Sequence, residues 1–396
     1  MITPWYADDA VTLYAGDAAS VLRTLAPASA ACVVTSPPYW GLRDYGTGHW
    51  IGGDPMCQHP HNRAAADRCG QCGAVRQDGQ YGREASPEGY VDHVREVFRQ
   101  LVRVLEPTGT VWLNLGDSYS ASPPGRTSAP MRASGLQGRE SALRLRESVR
   151  RARIDRTGAV PRKNLLGMPW RTAFALQDDG WILRNAIVWH KPNAMPESVR
   201  DRLSCRYEML FLLVRQERYF FDLDPIREPL ARPEALGKGA IIGGRHKGAH
   251  AGVGATARRR GSSSYGDAKY DDDAAFAAGL PGTALLPTGR RHDATHARGK
   301  NPGDVWRIST RPLRAAHFAP FPVDLPLRCI AAGCRPGGVV LDPFSGSATT
   351  GLAARQLGHP YVGIDLNPDF HTIGLARLRL TSAGRDGIEP SQERSA

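Results

Sequence analysis

Long apolar runs are missing from this chain of 396 residues. Nothing in it reaches the ~18–20 uninterrupted apolar residues that a membrane span needs, which excludes a helical membrane protein. The opening MITPWYADDA has neither a basic n-region nor an apolar h-region, so the expected location is cytoplasmic, with no membrane partner. Cysteine is scarce: there are seven, and three of them fall between Cys57 and Cys72. That distribution excludes a disulfide framework and suits a metal cluster plus scattered core thiols, Cys32, Cys205, Cys329 and Cys334 among the latter. A classical G-x-G-x-x-G is also missing, which argues against a nicotinamide enzyme. Acids are outnumbered, 39 Asp plus Glu against 51 Lys plus Arg, and the resulting charge of +12 favours a polyanionic partner.

What is there reads as alternating strands and helices. A short strand at Leu13–Tyr14, a helix over Ser20–Leu25 and the apolar run Ala31–Val34, suited to a buried parallel strand, come first. From Ser86 to Glu106 apolar residues recur at helical spacing until Pro107 and Gly109 stop the helix before a strand at Thr110–Leu115. A helix near Pro169–Gln177 and strands at Trp181–Trp189 and Met209–Val214 follow. The last group is helix Leu325–Cys334, strand Val339–Asp342, helix Thr349–Leu357, strand Tyr361–Asp365 and helix Phe370–Leu380. Such alternation predicts a parallel, doubly wound α/β sheet. Two segments break it. Residues 118–163 hold eleven Lys or Arg against three acids, and residues 225–303 thirteen against seven. Their joint excess is larger than the charge of the whole chain, so the basic character lies in two insertions, expected to be flexible and able to order on nucleic acid.

Two junctions carry chemistry. Ser36-Pro37-Pro38-Tyr39 follows a buried strand, at the carboxyl edge where open α/β sheets bind ligands. Two prolines hold the backbone extended and remove two N–H donors, leaving carbonyl acceptors for an amine, while Tyr39 can stack on an extruded base. The structural alternative is an ordinary proline turn with an exposed aromatic. The second junction, Asp342-Pro343-Phe344-Ser345-Gly346-Ser347-Ala348-Thr349-Thr350, lets a ligand approach the backbone at a helix N-terminus. Downstream, Asp365 at a strand end is placed to accept from the hydroxyls of a ribose. His190 and Lys191 sit at a strand end where they could reach phosphate but read first as exposed charge, and Glu208 with Tyr219-Phe220-Phe221 reads as packing.

This pair of motifs resembles the amino-methyltransferases of DNA, which modify cytosine N4 or adenine N6, in the class where S-P-P-Y precedes D-P-F-x-G-S-x-T-T. Ala15-Gly16-Asp17, Trp189-His190-Lys191-Pro192-Asn193 with Pro196-Glu197-Ser198, and His317-Phe318-Ala319-Pro320-Phe321-Pro322 resemble further family blocks. The likeness covers residues 9–120, 164–224 and 304–380. It implies a Rossmann-like methyltransferase sheet in permuted order, with a catalytic half over 1–120 and 164–224, a cofactor half over 304–381 and a disordered tail over 382–396. It also implies S-adenosylmethionine as cofactor and duplex DNA as partner; a companion restriction endonuclease is not inferable. Ser36, Pro37, Pro38 and Tyr39 are then the catalytic residues. Asp17, Phe318, Pro320, Asp342, Phe344, Gly346, Ser347, Thr349 and Asp365 are the cofactor-binding ones. Asp17 would lie near the adenine, Phe344 would line the pocket, Asp365 would hold the ribose, and Phe318 and Pro320 would close the site. Ala348 stands where the family more usually has glycine. Serine at the head of the tetrapeptide tends to accompany cytosine, which favours N4.

Within residues 54–75, Cys57-Gln58-His59-Pro60-His61 and Cys69-Gly70-Gln71-Cys72-Gly73 form a zinc-knuckle pattern. Cys57, Cys69 and Cys72 with His59 or His61 would close a structural four-ligand site; His59 is preferred because C-x-H resembles an insertion in some of these methyltransferases. Two rival functions remain at this level. One is methyl transfer to RNA or a protein amide, which assays on each substrate would separate; the other is a non-enzymatic DNA-binding protein, which cofactor binding would count against.

Overall fold

The computed structural model describes residues 2–42, 45, 47–57, 68–120, 160, 161, 163–230, 298–311 and 320–380. Residues 1–222 and 304–396 belong to one compact unit, residues 223–303 to a second.

The first unit is built on a nine-stranded sheet in the order β1-β2-β11-β10-β3-β6-β8-β7-β9. Its centre is β3 (Ala30–Thr35), every residue of which is buried. β3 is flanked in parallel by β10 (Val340–Asp342) and β6 (Leu105–Leu115). On one side, β10 continues in parallel to β11 (Tyr361–Asp365) and then to β2 (Val11–Ala15), with β1 (Tyr6–Ala7) antiparallel at the edge. Ala10 and Val11 N–H both donate to Asp8 Oδ1, at 2.8 and 2.7 Å, which closes the turn between β1 and β2.

On the other side the pairing changes sense. β8 (Tyr207–Val214) lies antiparallel to both β6 and β7 (Ile182–His190), and β9 (Val305–Arg307) pairs parallel to β7. The sheet is therefore mixed, against the all-parallel expectation. The reason lies in the connection: a parallel pair needs a crossover element, and residues 191–206 between β7 and β8 contain no helix. Two boundaries also shift. β2, near the start of the chain, belongs to the side containing β10 and β11, whereas β9, near the C-terminal block, pairs at the opposite edge.

Helices cover the sheet where the apolar spacing places them. Helix α2 (Pro87–Val104) starts at Ser86, whose side chain accepts from Gly89 N–H, with Pro87 in the first turn. Its stripe Tyr90, Val91, Val94, Val97, Phe98, Leu101 and Val104 is buried, packing with α1 (Ala18–Thr24) and α3 (Met168–Asp178). Helices α4 (Asp324–Gly333), α5 (Thr349–Gln356) and α6 (Pro368–Leu378) serve the remaining strands. Outside the large sheet, β4 (His49–Ile51) and β5 (Val75–Gln77) make a separate two-stranded hairpin. None of the described helices is long and apolar enough to cross a membrane.

In the second unit the described residues form a short 3₁₀ turn, Asp224–Ile226, with Asp224 held by Arg227 at 2.7 Å and Arg298 at 2.6 Å. Residues 231–297 of that basic insertion, most of the one at 118–163 and the tail expected at 382–396 lie outside the described residues.

Candidate active site

β3 and β10 lie side by side and parallel, so the two junctions that follow them emerge at the same edge of the sheet. They are joined covalently by some three hundred residues and physically by one buried carboxylate. Asp342 Oδ1 accepts from the Thr35 hydroxyl at 2.7 Å and from Phe344 N–H at 3.0 Å; Oδ2 lies 2.7 Å from the Thr350 hydroxyl, which is also 3.1 Å from Val34 O. Burial pushes the Asp342 carboxyl up to about 6. Its oxygens are taken up by the protein itself, so Asp342 shapes the turn and ties it to the residue preceding Ser36.

Beneath both junctions opens a cavity of about 760 Å³. It is lined by Ser36, Pro37, Pro38 and Tyr39 from one motif and by Asp342, Phe344, Gly346, Ser347, Thr349 and Asp365 from the other, with Asp17 and Pro320. Phe318 lies outside the described residues.

The turn after β10 is shaped by small residues. Gly346 and Ala348 both adopt left-handed backbone, with φ of +50° and +56°. For alanine this costs ~1–2 kcal/mol, partly offset by burial of its methyl group at ~0.8 kcal/mol. The Arg377 guanidinium fixes the far end, donating to Ser347 O at 2.6 Å, Ser347 Oγ at 2.7 Å and Thr349 Oγ1 at 2.8 Å. A side chain at Gly363 would collide with Ser345 Oγ at 2.7 Å, so glycine there leaves room for the turn.

Asp365 accepts from Gly346 N–H and Asn367 N–H, each at 2.8 Å, and burial raises its carboxyl to about 7. Two accepted bonds leave lone pairs of the carboxylate available to the cavity. Asp17 caps α1 through Ser20 N–H at 2.8 Å and lies 3.4 Å from the Tyr81 hydroxyl. Tyr81 stands edge-on to Phe344, centroids 5.0 Å apart, giving the cavity an aromatic wall.

The turn after β3 is held by residues that sequence reasoning missed. The Tyr39 hydroxyl lies 2.7 Å from Glu208 Oε2, 3.0 Å from Asn114 Oδ1 and 3.2 Å from Ser36 Oγ. Burial, and then the charge of Glu208, raise this phenol well above its ordinary value. Glu208 also pairs with Lys191, whose ammonium sits 4.4 Å from the centre of the Trp189 ring. Glu208 and Lys191 are thus part of the cavity, not packing and not loose surface charge. A lone acid ahead of the apolar run Met209–Val214 was the available signal. Cys205, expected as a core thiol, is half-exposed and lines the cavity; Cys32, Cys329 and Cys334 are buried as expected.

Outside the cavity, the sulfurs of Cys57, Cys69 and Cys72 lie within 4.8 Å of one another, Cys57 and Cys69 at 3.9 Å. Backbone N–H groups of Cys72 and Gln71 lower the Cys69 thiol to about 7. His59 and His61 lie outside the described residues.

A mixed α/β sheet with these two turns over one cavity at its carboxyl edge is a methyltransferase fold. The chain belongs to the DNA methylase family of N6 and N4 methyltransferases, which matches residues 30–376, and it is a DNA methyltransferase of that S-adenosylmethionine-dependent family. It is 34% identical over 368 residues to the Type II methyltransferase M.Cfr9I of Citrobacter freundii, covering 93% of this chain and 87% of the relative. It is likewise 34% identical over 363 residues to the Type II methyltransferase M.SmaI of Serratia marcescens, covering 92% and 89%. Among solved structures it is similar in fold to PvuII DNA methyltransferase (cytosine-N4-specific), with a TM-score of 0.51 at 15% identity over 97% of this chain and 92% of that one.

Proposed function

We propose that the chain moves the methyl group of S-adenosylmethionine to the exocyclic amine of a base turned out of duplex DNA, cytosine N4 in preference to adenine N6, as the modification arm of a Type II system. The observation that carries this reading is the Thr35–Asp342 bond, which holds the S-P-P-Y tetrapeptide beside the glycine-bearing turn over a single cavity.

The residues fit the cofactor. The free lone pairs of Asp365 suit two ribose hydroxyls, the wall of Phe344 and Tyr81 suits the adenine, and the turn at Gly346 admits a ligand close to backbone. When bound, S-adenosylmethionine supplies a methyl group already activated by its sulfonium, so what the chain must supply is alignment. Ser36 and the Pro37 carbonyl hold the amine, leaving its lone pair directed at the methyl group. Tyr39 stacks on the base. Neutral Ser36 can both donate and accept, which suits a pyrimidine whose N3 acceptor lies beside its amine.

Cys57, Cys69 and Cys72 fit three ligands of a structural zinc, for which His59 or His61 would be the fourth. Tetrahedral thiolates at ~2.3 Å from the metal stand ~3.8 Å apart, close to the 3.9 Å between Cys57 and Cys69. Such a metal would stiffen the loop and take no part in transfer. The basic insertions at 118–163 and 225–303 would meet phosphates.

The test is expression in a host free of DNA methylation, followed by mapping of modified bases and mass identification of nucleosides. N4-methylcytosine in a fixed sequence is expected. N6-methyladenine as sole product would overturn the base assignment, and an unmodified genome, with transfer to RNA or protein instead, the whole reading.

A further inference from the structure

The Tyr39 hydroxyl has one proton and two acceptors. Asn114 cannot turn away from it, because its Nδ2 donates to Met209 O at 3.1 Å and so fixes Oδ1 toward the phenol. Glu208, paired with Lys191, is the nearer acceptor, so the phenol donates its hydrogen bond there. The far side of Glu208 is pinned by Lys191, which rests on the face of the buried Trp189. Along its edge, the Tyr39 ring meets Gly116, where an added Cβ would stand 2.5 Å from a ring carbon. The ring therefore enters the cavity with its plane already set.

Such an arrangement is costly unless it acts. The side chains of Glu208 and Lys191 are only 16% and 19% exposed, and taking an ion pair out of water is often no better than a well-packed apolar pair at the same place. The strand ends need no charge to pack: β8 beyond Glu208 is apolar throughout.

We infer that Glu208, backed by Lys191, is a positioning residue for methyl transfer: it fixes the plane of Tyr39 and through it the tilt of the flipped base, so that the amine meets the methyl donor in line. This rests on the reading above that Tyr39 stacks on the target base. A small tilt of the base displaces its amine from the near-attack arrangement, so the loss should fall on kcat and not on cofactor binding.

The experiment is a double-mutant cycle on Glu208→Ala and Tyr39→Phe, using DNA that carries the sequence methylated by the unaltered protein, with Glu208→Gln as a variant that keeps an acceptor for the phenol. Each single change is expected to lower kcat tenfold or more with the Kd for S-adenosylmethionine unchanged within twofold. The double variant should be no slower than the slower single one, and Glu208→Gln should recover part of the rate. Three results would overturn the inference: full activity in Glu208→Ala, multiplied losses in the double variant, or equal loss of cofactor binding and thermal stability in Glu208→Ala and Glu208→Gln. An unaltered protein that transfers no methyl group to DNA would instead overturn the underlying reading.

Discussion

Two single residues carry predictions of their own. Asp365 should lose its grip on S-adenosylmethionine when changed to Ala: two bonds from hydroxyls to a charged acceptor are worth ~1.5–3 kcal/mol each, so Kd should rise a hundredfold or more. Calorimetry showing an unchanged Kd would remove Asp365 from the site. Its pH behaviour follows from a folded value of about 7, above the ~3.9 of an ordinary aspartate. With the folded value raised, the stability that Asp365 contributes is complete below pH ~4 and is lost as pH rises through about 7. Melting curves of the unliganded protein and Asp365→Asn should therefore diverge in the variant's favour from pH ~4 to about 7, the span between the ordinary and the folded value. Cofactor affinity of the unaltered protein should move the other way, tightening as the carboxyl ionises. A gap in melting temperature that does not change with pH would mean that the carboxyl is not held so high. The second residue is Gly116, whose missing side chain gives the Tyr39 ring its room. Gly116→Ala should cut turnover tenfold or more while cofactor binding, measured by the same calorimetry, stays within twofold; normal turnover would show that the ring can shift without harm.

At the level of elements, the cysteine-bearing hairpin reaches the active site through its own backbone. Gly41 N–H donates to Gly82 O at 2.7 Å and the Trp40 indole to Glu84 O at 2.8 Å, so the segment leaving β5 braces the residues just after Tyr39. The purified protein should carry about one zinc per chain. Cys69→Ser with Cys72→Ser should release it, open the loop to protease and lower turnover by way of that brace. Metal analysis finding none in protein prepared without chelator would end this proposal. The hairpin also shows how far sequence reading goes for elements. Ser86 and Pro87 announce α2, and its apolar spacing names the buried face, because capping and periodicity are local properties. Strand sense is not local. β7 and β8 look like any buried strands, and only the helix-free segment between them makes them antiparallel.

For the whole molecule, the uneven charge yields the remaining prediction. Deleting residues 231–297, within the second unit, should leave cofactor affinity alone but weaken DNA binding and flatten its salt dependence, by ~0.9 in the log–log slope for each phosphate no longer neutralised. Filter binding across a salt series measures this, and an unchanged slope would mark the segment as a passive connector.

The family of this protein was legible in its sequence because it rests on short runs: Ser36 to Tyr39 and Asp342 to Thr350 mark it through residue type and close spacing, and the cysteines at 57, 69 and 72 were legible as a cluster. The arrangement was not legible, because it depends on which strands become neighbours. Pairing of β3 with β10 brings Thr35 to Asp342 across the chain, pairing of β2 with β11 sets Ala15 beside Asp365, and pairing of β6 with β8 sets Glu208 against Tyr39. Sequence fixes what a side chain can do. Only the closed sheet decides what it faces, since burial across many strands at once, and no local rule, selects that register.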